Sequence, residues 1–316
     1  FDADGQGGGE VCASRRKGGV VTTFALHTLA KKSSAPVVAR MASIDSWRIN
    51  VPDEAWLIER VVADACEGRG GTVFTINLDH LAKLRTDPVF RAVYERATYV
   101  TADGMPVVML ARSEGVAIER VTGADLVLPL CRAATEAGIP VHFFGTRPDV
   151  LERSLARLRD EVPGLLVAGT DAPPMGFDPC GEAAAAAAAR IAASGARISF
   201  VALGAPKQEL FADAAANSTE GVIYLGVGAA LDFLAGERSR APRLLQRLGL
   251  EWVWRTAQEP RRMAPRYLKS AVWLVGYLVR LVLGTARNTA VTVEIGADPR
   301  AARPAPNPEP EKEVSQ

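Results

Sequence analysis

The sequence holds only four cysteines and three histidines, and none of them falls into a metal-binding or disulfide pattern. Cys12, Cys66, Cys131 and Cys180 are widely spaced without a Cys-x-x-Cys pair, and His27, His80 and His142 stand apart from them. A zinc ribbon and a disulfide framework are thereby excluded, a reducing cytoplasm fits best, and neither a metal nor another cofactor is expected. Net charge is nearly missing as well: 37 Lys and Arg against 36 Asp and Glu leave +1, which argues against a whole-protein nucleic-acid binder. A complete dinucleotide fingerprint is also lacking, because Gly226-Val-Gly228-Ala-Ala-Leu231 has no third glycine and stands late in the chain. With no Tyr-x-x-x-Lys pair either, an epimerase or dehydrogenase of nucleotide sugars is disfavoured.

What is present is a globular composition and a repeated theme. With 316 residues and 48% apolar content, the chain can bury one large or two modest α/β cores. Its centre of organisation is Ile198 to Asp232. The stretch reads Ile-Ser-Phe-Val-Ala-Leu-Gly204-Ala-Pro206-Lys207-Gln208-Glu209, a helical segment through Asn217, then Val222-Ile-Tyr-Leu-Gly226-Val227-Gly228-Ala-Ala-Leu-Asp232. Each half is a short apolar run closing on glycine, the way a buried parallel strand passes to a loop and helix. Ligands of an open α/β sheet sit beyond the carboxyl ends of its strands, so the loops Gly204 to Glu209 and Gly226 to Asp232 are expected to face one another across a cleft. Their glycines permit close backbone approach. Lys207 and Gln208 add a cation and a two-sided amide suited to phosphate, uracil-like or sugar groups.

The theme recurs upstream. Order is expected from near Ile49, where Asp53 and Glu54 head an amphipathic helix through Leu57, Val61 and Ala65. Thr72 to Asn77 reads as a strand ending on Thr75 and Asn77; Asn77 is either a site residue or the cap of a helix over Leu78 to Leu84. A strand over 98–102 ends in Asp103-Gly104, where Asp103 is either a turn residue or a carboxylate placed to act as general base. Arg120 precedes the capping candidates Thr122 and Asp125 and is a candidate phosphate ligand. Val141 to Gly145 and Leu165 to Gly169 repeat the strand and glycine, and the alanine run at 183–193 is a helix by propensity. Strand and helix signals alternate at least five times between residues 72 and 232, which argues for a Rossmann-like parallel-sheet α/β core.

In order along the chain, Thr75-Ile-Asn77, Ala102-Asp103-Gly104, Glu119-Arg120-Val-Thr-Gly123, Phe144-Gly145, Gly204-Ala-Pro206-Lys207-Gln208-Glu209, Gly226-Val227-Gly228, Asp232, Arg240-Ala-Pro242, Glu251-Trp252 and Glu259-Pro260-Arg-Arg262 resemble the WecG/TagA/CpsF glycosyltransferases, glycosyltransferase family 26, over roughly residues 48–270. The resemblance implies an inverting, metal-independent transfer of a sugar from a UDP-sugar donor to a polyprenyl-diphosphate-linked acceptor. The enzyme would act peripherally at the cytoplasmic membrane face, in cell-wall or exopolysaccharide precursor synthesis. Carried over by motif, Asp103 is the general base with Thr75 and Asn77 beside it, Arg120 is a cleft arginine needed for activity, and Gln208 and Asp232 belong to the donor site, Asp232 on the uridine side. The family's Gly-Tyr-Phe signature reads Met175-Gly176-Phe177 here, in a proline-rich loop, leaving Phe177 as the candidate contact without the tyrosine. The sugar is an N-acetylmannosamine type, its uronic acid or glucose. The resemblance leaves room for a homo-oligomer, and a catalytically idle nucleotide-sugar or lipid-binding module is the alternative reading, against which intact Asp103, Arg120 and Gln208 count.

Four segments follow: a non-domain or disordered leader over 1–47, the core over 48–240, a basic helical appendage over 241–287 and a disordered tail over 288–316. The leader holds Arg15-Arg16-Lys17 and only a short apolar stretch, Val20 to Leu29, too weak for a signal-peptide core. From Glu237 to Arg287, eleven lysines and arginines face three glutamates, a local charge of +8 that leaves −7 for the remainder. Leucines and tryptophans interleave with these cations, a mix suited to a lipid surface and too apolar for a nucleic-acid groove reader. Ala271 to Gly284 is a fourteen-residue apolar run broken by Arg280; as a helix it covers roughly 21 Å of a ~30 Å hydrocarbon core, so it is expected to lie on a membrane and not to span it. Related enzymes use this region to reach membranes and to bring arginines to the active site, by motif position Arg255, Arg262 and Arg266. Simple packing of the segment on the core, with its arginines solvated, is the alternative.

Overall fold

The computed structural model describes residues 37–113, 115–242, 244–245, 250–284 and 289–295; for residues 37–41, Arg262 and 289–295 the description is of the backbone alone. Six strands form a wholly parallel sheet: β3 (Gly71–Ile76), β4 (Tyr99–Ala102), β5 (Val141–Gly145), β6 (Val167–Asp171), β7 (Ile198–Ala202) and β8 (Ile223–Gly226). Their order across the sheet is β4-β3-β8-β7-β5-β6. Alternate side chains feed two cores. Phe74, Val100, Phe144, Val201 and Tyr224 point to one face, and Val73, Tyr99, Phe143, Phe200 and Leu225 to the other. Because both faces are covered, these strands read in the sequence as continuous apolar runs.

The covering helices are α1 (Glu54–Cys66), α2 (Leu78–Thr86), α3 (Pro88–Arg96), α4 (Met105–Ser113), α5 (Gly123–Glu136), α6 (Pro148–Glu161), α7 (Glu182–Ala193), α8 (Lys207–Ser218) and the short α9 (Ala230–Leu234). Several begin on side-chain caps. Asp53 accepts from the Trp56 amide, Asp87 from those of Val89 and Phe90, and Thr122 from that of Asp125. The parallel α/β architecture is therefore the one read from the alternating signals. Strand β6 starts at Val167 and not at Leu165, because the Leu165 amide closes the turn after α6 onto the Val162 carbonyl (3.2 Å).

Two boundaries differ from expectation. Among the described residues, regular structure is present from Val37, ahead of Ile49, with a hairpin of β1 (Val37–Ile44) and β2 (Trp47–Ile49). Its two-residue turn, Asp45-Ser46, has φ of 51° and 71°, the left-handed pair that a tight hairpin requires, built here without the Asn-Gly signal that would have announced it. Ala42 and Ile44 are buried in the core, so the end of the supposed leader is part of the fold. At the other end, β9 (Thr289–Ile295) joins β1 and β2 in a three-stranded sheet, inside what the sequence suggested was tail. The remaining leader, 1–36, and tail, 296–316, lie outside the described residues.

Past the core, α10 (Glu251–Gln258) and α11 (Pro260–Val282) make the appendage helical, and α11 continues through Pro265. No helix among the described residues is long and apolar enough to cross a membrane. Helix α11 is fastened to the core: Trp273 and Tyr277 are buried, stacked at 5.0 Å, and the Tyr277 hydroxyl accepts from the Asp45 amide (3.1 Å).

Candidate functional site

The carboxyl ends of β3, β4, β7 and β8 open into one cavity of about 440 Å3, roofed by α10 and α11. Such a crevice is where the order of strands in an open sheet leaves room for a ligand. Two close backbone approaches shape it. A Cβ on Gly123 would lie 2.8 Å from the Gly226 carbonyl oxygen, so only glycine lets the start of α5 reach the end of β8. At Gly145, with φ of 117°, a Cβ would lie 2.5 Å from the Ala202 carbonyl oxygen.

At one wall of the cavity Asp103 follows β4, its amide bonded to the Ile76 carbonyl (2.8 Å). Asn77 caps α2 and also lines the cavity. Its Oδ1 accepts from the Asp79 and His80 amides at the start of α2 (both 3.1 Å), and its Nδ2 donates to Asp103 Oδ2 (3.5 Å). Thr75 lines the cavity, and its carbonyl accepts from the Tyr94 hydroxyl (2.8 Å) and from His80 Nδ1 (2.7 Å). Burial raises the Asp103 pKa, the neighbouring Glu251 adds to the rise, and Arg255, Asn77 and Arg120 oppose it. A carboxylate held above its ordinary range while still facing a cavity is a better proton acceptor than a solvated one. Burial also lowers the His80 pKa to about 4, aided by Lys83 and Arg266, which leaves its ring neutral.

Four arginines face the same cavity, each beside a carboxylate. Arg120 lies 3.3 Å from Asp125 and 3.9 Å from Glu251; Arg255 is 3.5 Å from Glu251 and sits over the Phe233 ring at 5.5 Å. Arg238 reaches Glu259 at 2.5 Å and Asp232 at 3.4 Å, and Arg266 meets Asp79 at 2.9 Å. Such a cluster can bind and stabilise diphosphate charge. Leu78, Met105, Met263 and Leu274 supply apolar lining.

Of the residues singled out from the sequence, Thr75, Asn77, Asp103, Arg120, Gly204, Gln208, Gly226, Val227, Gly228, Arg255 and Arg266 line this cavity. Six others do not. Gly145 is a packing position, and Pro206 closes a turn through a cis bond to Ala205. Phe177 is buried edge-on to Phe144 (5.6 Å) and Phe211 (6.0 Å), and its carbonyl accepts from Lys207 Nζ (2.9 Å), which turns that lysine away from the cavity. Asp232 stands behind Arg238 and accepts from the Thr146 hydroxyl (2.8 Å). Glu209 is wholly buried behind Gln208. The Arg262 side chain lies outside the description. Sequence reasoning gave no role to Arg238, Glu251, Glu259 or Tyr267, all of which line the cavity. Arg238 counted there only as a charge of a basic segment, and Glu251 and Glu259 as motif residues without a role; the folding back of α10 and α11 brings them to the cavity. Among the described residues, no group of three or more His, Cys, Asp or Glu is arranged to hold a metal ion.

Residues 42–288 match the family model described as the glycosyl transferase WecG/TagA/CpsF family.

Proposed function

The chain belongs to the WecG/TagA/CpsF glycosyltransferase family, and from that premise we propose that it moves a sugar, with inversion and without a metal, from a UDP-sugar to a polyprenyl-diphosphate-linked sugar. The observation that carries the reading is a cavity lined both by a carboxylate of raised pKa, Asp103, and by four arginines, two of which, Arg255 and Arg120, act on that carboxylate. Asp103 takes the proton of the acceptor hydroxyl as that oxygen attacks the anomeric carbon from the face opposite the nucleotide. The bond from the anomeric carbon to the UDP oxygen breaks, and the charge arriving on the β-phosphate is met by arginine N–H groups and backbone amides. Asn77 aims the base, and the loops bearing Gln208 and Gly226–Gly228 seat the donor. N-acetylmannosamine, its uronic acid and glucose are the sugars to compare.

The lipid part of the acceptor suits the outer face of α11. Leu268, Val272, Val275, Val279 and Val282 are each more than half exposed and recur at helical spacing, an apolar stripe fit to rest in a membrane interface at the inner face of the cell membrane. The test is UDP release from a panel of UDP-sugars, with and without a polyprenyl-diphosphate N-acetylglucosamine analogue. Acceptor-dependent release from one donor, undiminished by EDTA and reduced roughly 10²- to 10⁴-fold in Asp103→Asn, is the expected result. Equal release by wild type and Asp103→Asn would remove Asp103 from the role of base.

A further inference from the structure

The mechanism above makes no use of the most deeply buried carboxylate near the cavity. Glu209 lies in the first turn of α8, fully inaccessible, and its Oε2 has no hydrogen-bond partner among the described residues. Its Oε1 accepts from Gln208 Nε2 at 2.9 Å. Gln208, only 4% exposed, turns its Oε1 to the Gly228 amide, again at 2.9 Å. The Gly228 N–H can only donate and an ionised Glu209 can only accept, so the two neighbours demand opposite ends of the amide. A flipped Gln208 would set donor against donor at Gly228 and acceptor against acceptor at Glu209, losing both bonds at once. The fit is close enough that a Cβ on Gly226 would lie 2.9 Å from Gln208 Nε2. Gly228 itself sits at φ of 57°, so the loop's shape depends on what holds its amide.

We propose that Glu209 is a positioning residue: it locks the Gln208 amide in the orientation that holds the Gly226–Gly228 loop in its donor-binding shape, and it does so best as a carboxylate. The inference rests on the reading of that loop as part of the UDP-sugar site. An ionised acceptor makes a hydrogen bond about twice as strong as a neutral one. The groups facing Glu209 fit a charge that is tolerated but not neutralised by contact. Its own backbone N–H and the start of α8 favour the anion, Lys83 of α2 and Arg266 of α11 act on it from a distance, and Tyr94 of α3 is a neutral neighbour whose own ionisation Glu209 opposes. Burial outweighs these influences and raises the Glu209 pKa to about 7.

The experiment is calorimetric titration of the full chain with UDP-glucose, UDP-N-acetylglucosamine and UDP-N-acetylmannosamine from pH 5.5 to 8.5, for wild type, Glu209→Gln and Glu209→Leu, with folding checked by circular dichroism. Wild type is expected to bind its preferred UDP-sugar about fivefold more tightly above pH 7 than below it, the step from a neutral to a charge-assisted bond. Glu209→Gln, which keeps an acceptor oxygen without the charge, should match the low-pH affinity of wild type at every pH. Glu209→Leu should lose tenfold or more. Wild-type affinity in a folded Glu209→Leu, or an undiminished pH step in Glu209→Gln, overturns the proposal; if the leucine variant does not fold, the glutamine profile decides. Binding that ignores Glu209 sinks this inference alone, whereas absence of any UDP-sugar binding by wild type sinks the donor reading and this inference with it.

Discussion

At the scale of single residues, the site trades stability for charge. Glu209 is the clearest case, its pKa raised from an ordinary 4.5 to about 7 by burial. Its neutral form stabilises the fold fully below pH 4.5, and that contribution is lost as pH rises through 7, because ionising the side chain in place costs more than ionising it in the unfolded chain. Glu209→Gln should therefore raise the unfolding free energy at pH 8 by up to about 3 kcal/mol. It should change it little at pH 4.5, a contrast that denaturant melts at the two pH values would show. Asp103 allows a second expectation with the opposite readout. Only its ionised form accepts a proton, so kcat/KM should fall on the acid side through a pKa above the ordinary 3.8, and Glu251→Gln should move that limb to lower pH by removing a negative neighbour. A pH profile unchanged in Glu251→Gln would show that the limb belongs to another group. The positions of Asp103 and Asn77 at the cavity wall were legible in the sequence because a polar residue ending an apolar strand has few places to be. Glu251 was noted only as a motif residue and not as a neighbour of Asp103, since nothing in a helix of mixed charge says which carboxylate will be folded over a strand end 148 residues upstream.

At the scale of elements, α11 decides whether the cavity exists. Its inner face is held by Tyr277, by Trp273 and by Arg280 Nη2 at 3.7 Å from Asp45, while Arg85 secures the same Asp45 through two bonds of 2.7 and 3.1 Å. Tyr277→Phe should cost about 1 kcal/mol by removing the acceptor of the Asp45 amide. Tyr277→Ala should cost about 3–5 kcal/mol through the cavity it leaves. The larger loss should free α11 before the sheet unfolds, so limited proteolysis should cut Tyr277→Ala within 259–284 while the core remains intact and turnover is lost with Arg255 and Arg266. Global unfolding of Tyr277→Ala without a cut in that segment would show that α11 and the sheet are one cooperative unit. The buried parallel strands were readable from their apolar runs, and helix starts from Asp53, Asn77 and Thr122, whereas the cap at Asp87 went unread. The hairpin of β1 and β2 and the strand β9 were not: each earns its place through partners far away in the chain, and residues 289–295 were averaged with the proline-rich stretch that follows them.

At the scale of the whole molecule, charge and apolar surface coincide at one end of the chain. A net charge of +1 conceals the +8 of residues 237–287, and the helix carrying much of that charge also turns Leu268, Val272, Val275, Val279 and Val282 outward. Its other side supplies Met263 and Leu274 to the cavity lining. A helix with one face in a bilayer interface and the other over a catalytic cavity would carry a lipid-linked acceptor from membrane to base without the protein having to cross the membrane. The expected outcome is binding to vesicles that contain anionic lipid, weakened by salt because Arg261 and Lys269 of α11 are exposed. Replacing Leu268, Val272, Val275 and Val279 together by serine should reduce partitioning at least tenfold, since each buried aliphatic side chain contributes up to about 1.5–3 kcal/mol. Flotation with vesicles of phosphatidylglycerol and phosphatidylcholine measures this directly. Turnover separates the two roles of the helix: the fourfold serine variant should lose activity on a long-chain acceptor held in vesicles and keep it on a short-chain, water-soluble one. Equal loss on both acceptors would mean that the stripe supports the cavity and not the approach to the membrane.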